Sequence, residues 1–292
     1  MDNQQTLGKP RSGTAASELR RIRTIIACPE PPPRFRRPNW LQVTAAMGLV
    51  VFTAHALHGT ELSSLSLMDI AAIPANILRL IGEMLPPGQV ELARIVPAIL
   101  ETLQMALVGT VLGVLVSLPL GILAAKSLSP NRLLYFSARG VVSFCRTVPD
   151  LVWAIFFVII VGLGPLAGML TLLVDTIGFA GRFFAEAFEE VDSGPREAFS
   201  AIGASGGGTF FSAILPAAAP SCINTSMYCL ERAVQSSVIL GLVGAGGIGM
   251  LLEEPMVWHN YPEATTVVLT IFAMLVVVEQ LSGRIRYHIL AN

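Results

Sequence analysis

Stretches of apolar residues long enough to cross a bilayer recur along this chain, separated by polar connectors, and that pattern leaves few folds open. A hydrocarbon core about 30 Å thick takes ~20 apolar residues in a helix. Every amide inside it must bond within the protein, so such segments are predicted to be helices. They are read at about 40–57, 99–125, 136–161, 165–184, 213–234 and 264–281. Only 13% of the 292 residues are charged, against about 25% in a soluble domain. The deficit is regional, as a multi-span protein requires. The expectation is an all-α polytopic membrane protein with about six transmembrane helices, occupying residues 40–292.

Residues 1–39 are different. They hold Lys9, Arg11, Arg20, Arg21, Arg23, Arg34, Arg36 and Arg37, together with Pro31, Pro32, Pro33 and Pro38. Basic residues before a first span are what the positive-inside rule predicts. This segment is therefore read as a disordered cytoplasmic tail and not as a nucleic-acid-binding arm. No cleavable signal peptide is expected, because the apolar stretch begins only near position 41. An even number of spans returns the C-terminus, with Arg284 and Arg286, to the same side. Residues 61–98 read as an outside segment, with 65–84 helical along the membrane surface. No internal repeat is visible, which argues against folds built from inverted repeats within one chain.

Between the fourth and fifth apolar segments, about 186–211, lies a polar, glycine-rich loop. Glu186, Glu189, Glu190, Asp192, Arg196 and Glu197 give it a solvated approach, and Pro195 suits the first turn of a short helix. Gly203 and Ala204 leave room for another backbone. Gly206, Gly207 and Gly208 are expected to end that helix and turn the chain toward Leu215, Pro216 and Pro220, which open the next span. The spacing Glu197-Ala198, then Gly203, Ala204 and Ser205, then Leu215-Pro216 resembles the cytoplasmic coupling ("EAA") loop of ABC-importer permeases, with Ala213 where that pattern has a bulkier aliphatic. The resemblance implies a type I ABC importer (MetI-like) permease fold. The chain has no phosphate loop of its own, so ATP and Mg would belong to a partner ATPase and this chain would bind no cofactor.

A second glycine block, Gly244-Ala245-Gly246-Gly247-Ile248-Gly249, satisfies the dinucleotide fingerprint literally and follows a strand-like run, 238–243. That fingerprint needs a βαβ unit and an acidic residue about 20 positions on. Here Pro255, Trp258 and His259 come next, then another span, so a tightly packed or re-entrant segment is expected. With Glu101-Thr102-Leu103-Gln104-Met105-Ala106, Leu118-Pro119-Leu120-Gly121, Arg146-Thr147-Val148-Pro149-Asp150 and Val161-Gly162-Leu163-Gly164-Pro165, this block resembles the phosphonate-type permeases over roughly 95–286. That resemblance implies a homodimer in the inner membrane, two copies of a cytoplasmic ABC ATPase, and an extracytoplasmic substrate-binding protein delivering an oxyanion inward by alternating access. It departs at Glu231-Arg232-Ala233-Val234-Gln235, where relatives carry an Asn and an Arg that this chain lacks. Phosphate and phosphite thus stand beside an organophosphonate as the implied substrate, and another solute such as an amino acid would use the same scaffold.

Charge within a span costs about 2.5–3.5 kcal/mol on insertion scales, so each such residue needs a reason. Arg146, Glu231, Arg232, Gln235 and Ser236, with Gly244, Gly246 and Gly247, are candidate pathway residues, because guanidinium groups match phosphoryl oxygens. For Arg146 and Glu231 an interhelical ion pair is an equal reading. Arg139 reads as structural, and Asp175 as half of a pair whose partner the sequence does not name. His55 and His58 have helical spacing but no third ligand, so no metal site is expected. Cys28, Cys145, Cys222 and Cys229 show no paired spacing. No catalytic constellation occurs, and an intramembrane phospholipid-modifying enzyme is the weaker alternative to a transport subunit.

Overall fold

The computed structural model describes residues 39–59 and 67–290, so the basic tail, apart from Asn39, and residues 60–66 lie outside the described residues. Among those described, every element is helical: α1 Trp40–Gly59, α2 Leu67–Met84, α3 Leu92–Ala124, α4 Arg132–Thr147, α5 Asp150–Val161, α6 Pro165–Glu189, α7 Ser193–Ala201, α8 Gly206–Thr209, α9 Leu215–Gly241, α10 Ile248–Val257 and α11 Tyr261–Leu290. Contacts divide the chain between Ile73 and Pro74, within α2. Upstream of that point stands α1, a helix apolar on all sides. The unit from Pro74 onward carries α3 to α11.

The spine of this larger unit is the pair α3–α6. Small residues let the two backbones approach, the usual basis of helix association in lipid. A Cβ at Gly109 would lie 2.8 Å from Leu172 Cβ, one at Gly113 2.5 Å from Thr176 Cβ, and one at Gly121 2.8 Å from Phe184 Cβ. Around this spine α4 and α5 pack on α6, α9 packs on both α3 and α6, α10 packs on α3 and α9, and α11 packs on α9 and α10.

Among the described residues, four helices are long and apolar enough to cross a membrane, namely Trp40–Leu57, Leu92–Ala124, Pro165–Glu189 and Tyr261–His288. The pair α4 and α5 brings the number to five if it is one span. The stretch expected to be one helix over 136–161 is bent by 91° between Thr147 and Asp150. Pro149 supplies no N–H, and the residue before a proline is pushed out of the helical region. Val148 accordingly sits at φ −79°, ψ 123°.

The expected fifth span, α9, is long enough but fails on composition, carrying Ser, Thr, Asn, Glu and Arg along its 27 residues. It packs on α3, α6 and α11, so a polar helix is sheltered by apolar ones. Two other boundaries move. α3 starts at Leu92 rather than 99, giving 33 residues, a helix ~50 Å long at ~1.5 Å per residue. α6 continues to Glu189, so Glu186 and Glu189 belong to a helix that outruns the apolar core, and the loop proper begins at Glu190.

Candidate coupling loop and interhelical sites

The loop between α6 and α9 is built by alternating stop and start signals. Asp192 Oδ1 accepts the Gly194 N–H at 3.5 Å and caps α7, with Pro195 in its first turn. Two residues past the end of α7, Gly203 turns the chain at a φ of +74°. Gly203 N–H donates to Ser200 O at 3.0 Å and Ala204 N–H to Phe199 O at 3.0 Å, the pair of bonds that closes a helix over a left-handed glycine. Ser205 then restarts the chain, its Oγ accepting from Gly208 N–H at 3.2 Å. Gly206, Gly207 and Gly208 therefore open α8 instead of ending α7; serine at an N-cap outweighs the low helix propensity of three short residues. Leu215 N–H reaches back five residues to Phe210 O, one wide turn just before Pro216, which has no N–H to give.

No residue of α7 is buried. Glu197, Ala198, Gly203 and Ser205 are exposed, Ala204 and Leu215 half-buried, and Pro216 exposed at the start of α9. Arg196 anchors the base of the loop by donating to Ser127 O at 2.9 Å. Ile202 projects beyond Ala201 at 78% exposure. Beneath lies a groove of about 500 Å³ lined by Ser127, Leu128, Arg196, Ala204, Phe210 and Phe211 among others.

At the opposite end the second glycine block is a buried hairpin. The run 238–243, strand-like in sequence, is the helical end of α9 through Gly241 followed by a turn. A helix does come directly after the glycines, the ten-residue α10, but no strand precedes them. Gly244, Gly246 and Gly247 all have positive φ and are buried. Three bonds tie them down: Gly164 N–H to Gly244 O at 2.9 Å, Gly247 N–H to Glu101 Oε1 at 3.0 Å, and Ile248 N–H to Thr102 Oγ1 at 2.8 Å. The ten residues of α10 separate the hairpin from the start of α11, and residues 244–249 are all buried. Irregular backbone within a membrane protein's interior is tolerated only when packed on protein, and here α3 and the Gly164-Pro165 break supply the partners.

Of the proposed pathway charges, two are already paired. Arg232 donates to Asp175 at 2.9 Å and stacks over the Phe179 ring at 5.1 Å. Glu231 accepts from Arg286. Adjacent residues of α9 thus reach different neighbours, one to α6 and one to α11. Arg139 is structural, as its sequence position suggests, donating to Ala124 O at 3.1 Å and pairing with Glu189 at 3.3 Å. Gln235 is exposed, Ser236 buried, and Arg146 exposed with no ion pair among the described residues. Two residues absent from the sequence-based set of charges now stand out: Glu101, a carboxylate holding the hairpin, and Arg182, which pairs with Glu186 at 2.7 Å. Both sit within apolar stretches, and that position is itself the signal.

Asp175 is only 15% exposed, so breaking its pair is expected to be costly. Arg232→Gln and Asp175→Asn should each destabilise the protein, while the double substitution recovers part of the loss. The expected coupling is about 1–3 kcal/mol, read from thermal unfolding in detergent. Additive losses would show that the two side chains do not act together.

Known proteins share this outline. Residues 117–289 match the family described as "Binding-protein-dependent transport system inner membrane component". Over 186 residues, 64% of this chain, it is 41% identical to the phosphate-import permease protein PhnE of Mycolicibacterium smegmatis, covering 35% of that protein. It is 36% identical over 213 residues to the phosphite transport system permease protein PtxC of Stutzerimonas stutzeri, covering 73% of this chain and 78% of that one. An inward-facing structure of the MetNI methionine ABC transporter superposes with a TM-score of 0.59 at 26% identity, over 66% of this chain and 95% of the matched chain.

Proposed function

This chain belongs to the family of binding-protein-dependent transport system inner membrane components, and on that premise we propose that it is the permease of an ATP-driven importer of phosphorus oxyanions. Two copies of the permease would pair with two cytoplasmic ABC ATPase subunits and receive solute from an extracytoplasmic binding protein. ATP and Mg would sit on the ATPases. Both termini and the loop over α7 and α8 would face the cytoplasm. Phosphate and phosphite are candidate solutes in keeping with the names of the relatives, and phosphonates in keeping with the motifs the sequence shares with phosphonate-type permeases.

The observation that carries this reading is α7, a helix without one buried residue, yet fixed at both ends by a cap and a left-handed glycine and anchored through Arg196. A solvated helix of nine residues has little stability alone, so such rigid presentation suits a lever gripped by another protein. Glu197, Ala198, Gly203, Ala204 and Ser205 would form the gripped surface, with Leu215 and Pro216 joining it to α9.

The test is ATPase activity of the complex reconstituted with its binding protein, titrated with phosphate, phosphite, several phosphonates and methionine. Stimulation by phosphorus oxyanions and a flat response to methionine is the expected result. A response to methionine alone would overturn the substrate, and failure of any ATPase subunit to associate would overturn the coupling role.

A further inference from the structure

Toward the loop end of the bundle, between α3, α4 and α6, lies a cavity of about 290 Å³ lined by Ala124, Arg139, Val142, Ser143, Arg146, Arg182, Ala185 and Glu186. It sets three guanidinium groups against one carboxylate. The arginines come from separate places in the sequence: Arg139 and Arg146, seven residues apart on one face of α4, and Arg182 from α6. Their backbones are locked together, because Gly178 packs so closely on α4 that a Cβ there would lie 2.7 Å from Arg146 N.

Two of the three have carboxylate partners, but weak ones. The Arg182–Glu186 pair is 51% and 38% exposed, and the Arg139–Glu189 pair 45% and 31% exposed. Such pairs hold their partners with little net free energy, so the Arg182 guanidinium can turn to a better acceptor, while Arg139 stays held in place by its bond to Ala124 O. Arg146 has no ion pair among the described residues, and its place in the last turn of α4 lets the helix dipole stabilise a bare cation. Ser143 adds a hydroxyl donor one turn away. The volume lies just below the ~300–1,000 Å³ of small-molecule sites, too tight for a bulky solute and ample for a tetrahedral anion.

We propose that this cavity binds a phosphoryl oxyanion, with Arg146 and Arg182 as its bidentate clamps and Arg139 as the fixed third cation. The proposal deepens the importer reading and rests on it, since it assigns to the permease itself a site for the chemical class that the importer is proposed to move. The ligand is either the free ion or the phosphate of an anionic lipid headgroup, and both carry the recognised group.

The experiment uses the purified permease–ATPase complex without binding protein. Equilibrium binding of radiolabelled phosphate is measured with phosphite and methylphosphonate as competitors, in phosphatidylcholine nanodiscs with and without phosphatidylglycerol, and co-purified lipid is identified by mass spectrometry. Arg146→Gln and Arg182→Gln are each expected to weaken phosphate binding by ~10-fold or more, the loss of one charge-assisted hydrogen bond. Arg182→Lys, which keeps the charge and loses the fork, should fall between. Arg79→Gln, in a helix remote in sequence, should leave binding unchanged. If phosphatidylglycerol co-purifies with wild type, blocks phosphate and is lost from the arginine variants, the occupant is the headgroup. Variants that bind phosphate and retain lipid like wild type, or a wild type that holds neither, overturn the site. Import of phosphorus oxyanions by wild type alongside unaltered variants would overturn this site alone. Absence of any such import by wild type would overturn the function, whatever the variants bind.

Discussion

Gly249→Ala is expected to remove nearly all correctly folded protein from the membrane. A Cβ at this position would lie 2.1 Å from Val238 O and 2.7 Å from Gly241 Cα. A Cβ at Gly241 would in turn lie 2.6 Å from Gly249 Cα. The two glycines are the point where the end of α9 and the start of α10 touch backbone to backbone. Overpacking costs ~1–3 kcal/mol when side chains can shift; here the obstructing atoms are main chain, and moving them shears the hairpin from Glu101 and Thr102. We expect at least ~5-fold less monodisperse protein by fluorescence-detected size exclusion, since a backbone clash that shears the hairpin removes a large share of the ~5–15 kcal/mol that holds a native protein together. Gly283→Ala is the matched control, since nothing lies within 4 Å of a Cβ there. A wild-type elution profile for Gly249→Ala would mean that the hairpin is not packed as described.

The hairpin's glycines are visible in the sequence and their fastenings are not, because the two depend on different things. Apolar segments and glycine breaks are local, and the helices at 40–57, 99–125, 165–184 and 264–281 emerge wherever such local composition suffices. The break at Val148-Pro149 is equally local in cause, yet the apolar run from 151 to 161 that follows masks it; an X-Pro pair outranks the apolar run beside it. Glu186 and Glu189 end the apolar stretch, and on hydropathy alone they read as loop. A helix does not stop at the bilayer boundary, however, and Glu189 is held by Arg139 and by the Lys126 N–H at 2.6 Å. Pairings such as Arg232 with Asp175, or Gly247 with Glu101, join residues 57 and 146 positions apart. They depend on the rotational register of packed helices, which no single segment encodes. The polar α9 shows the same limit from the other side, because its fitness for the interior comes from the helices around it.

Gly203→Val is expected to abolish ATP-driven import while leaving insertion and folding nearly intact. Gly203 sits at φ +74° with nothing within 4 Å of the position a Cβ would take, so the space is open and only the conformation forbids the change. A β-branched residue in the left-handed region costs about 1–2 kcal/mol or more. That cost falls on a helix end whose nine residues bury nothing, so the transmembrane unit does not bear it. The bonds from Gly203 to Ser200 and from Ala204 to Phe199 open, α7 frays, and Ile202 and Glu197 lose their fixed places. In the coupling role proposed for α7, a lever that has lost its rigid tip no longer transmits closure of the ATPase, and we expect import to fall by at least ~10-fold, the equivalent of 1.4 kcal/mol of lost coupling. Gly203→Asn separates the two demands on this position. Asparagine tolerates positive φ, so α7 keeps its end and only the room left for a partner is reduced. Import retained in Gly203→Asn and lost in Gly203→Val would identify the helix end as what coupling requires. Loss in both, with ATPase subunits no longer co-purifying, would identify close approach of the partner's backbone. Full import by Gly203→Val would remove the loop from the coupling path altogether.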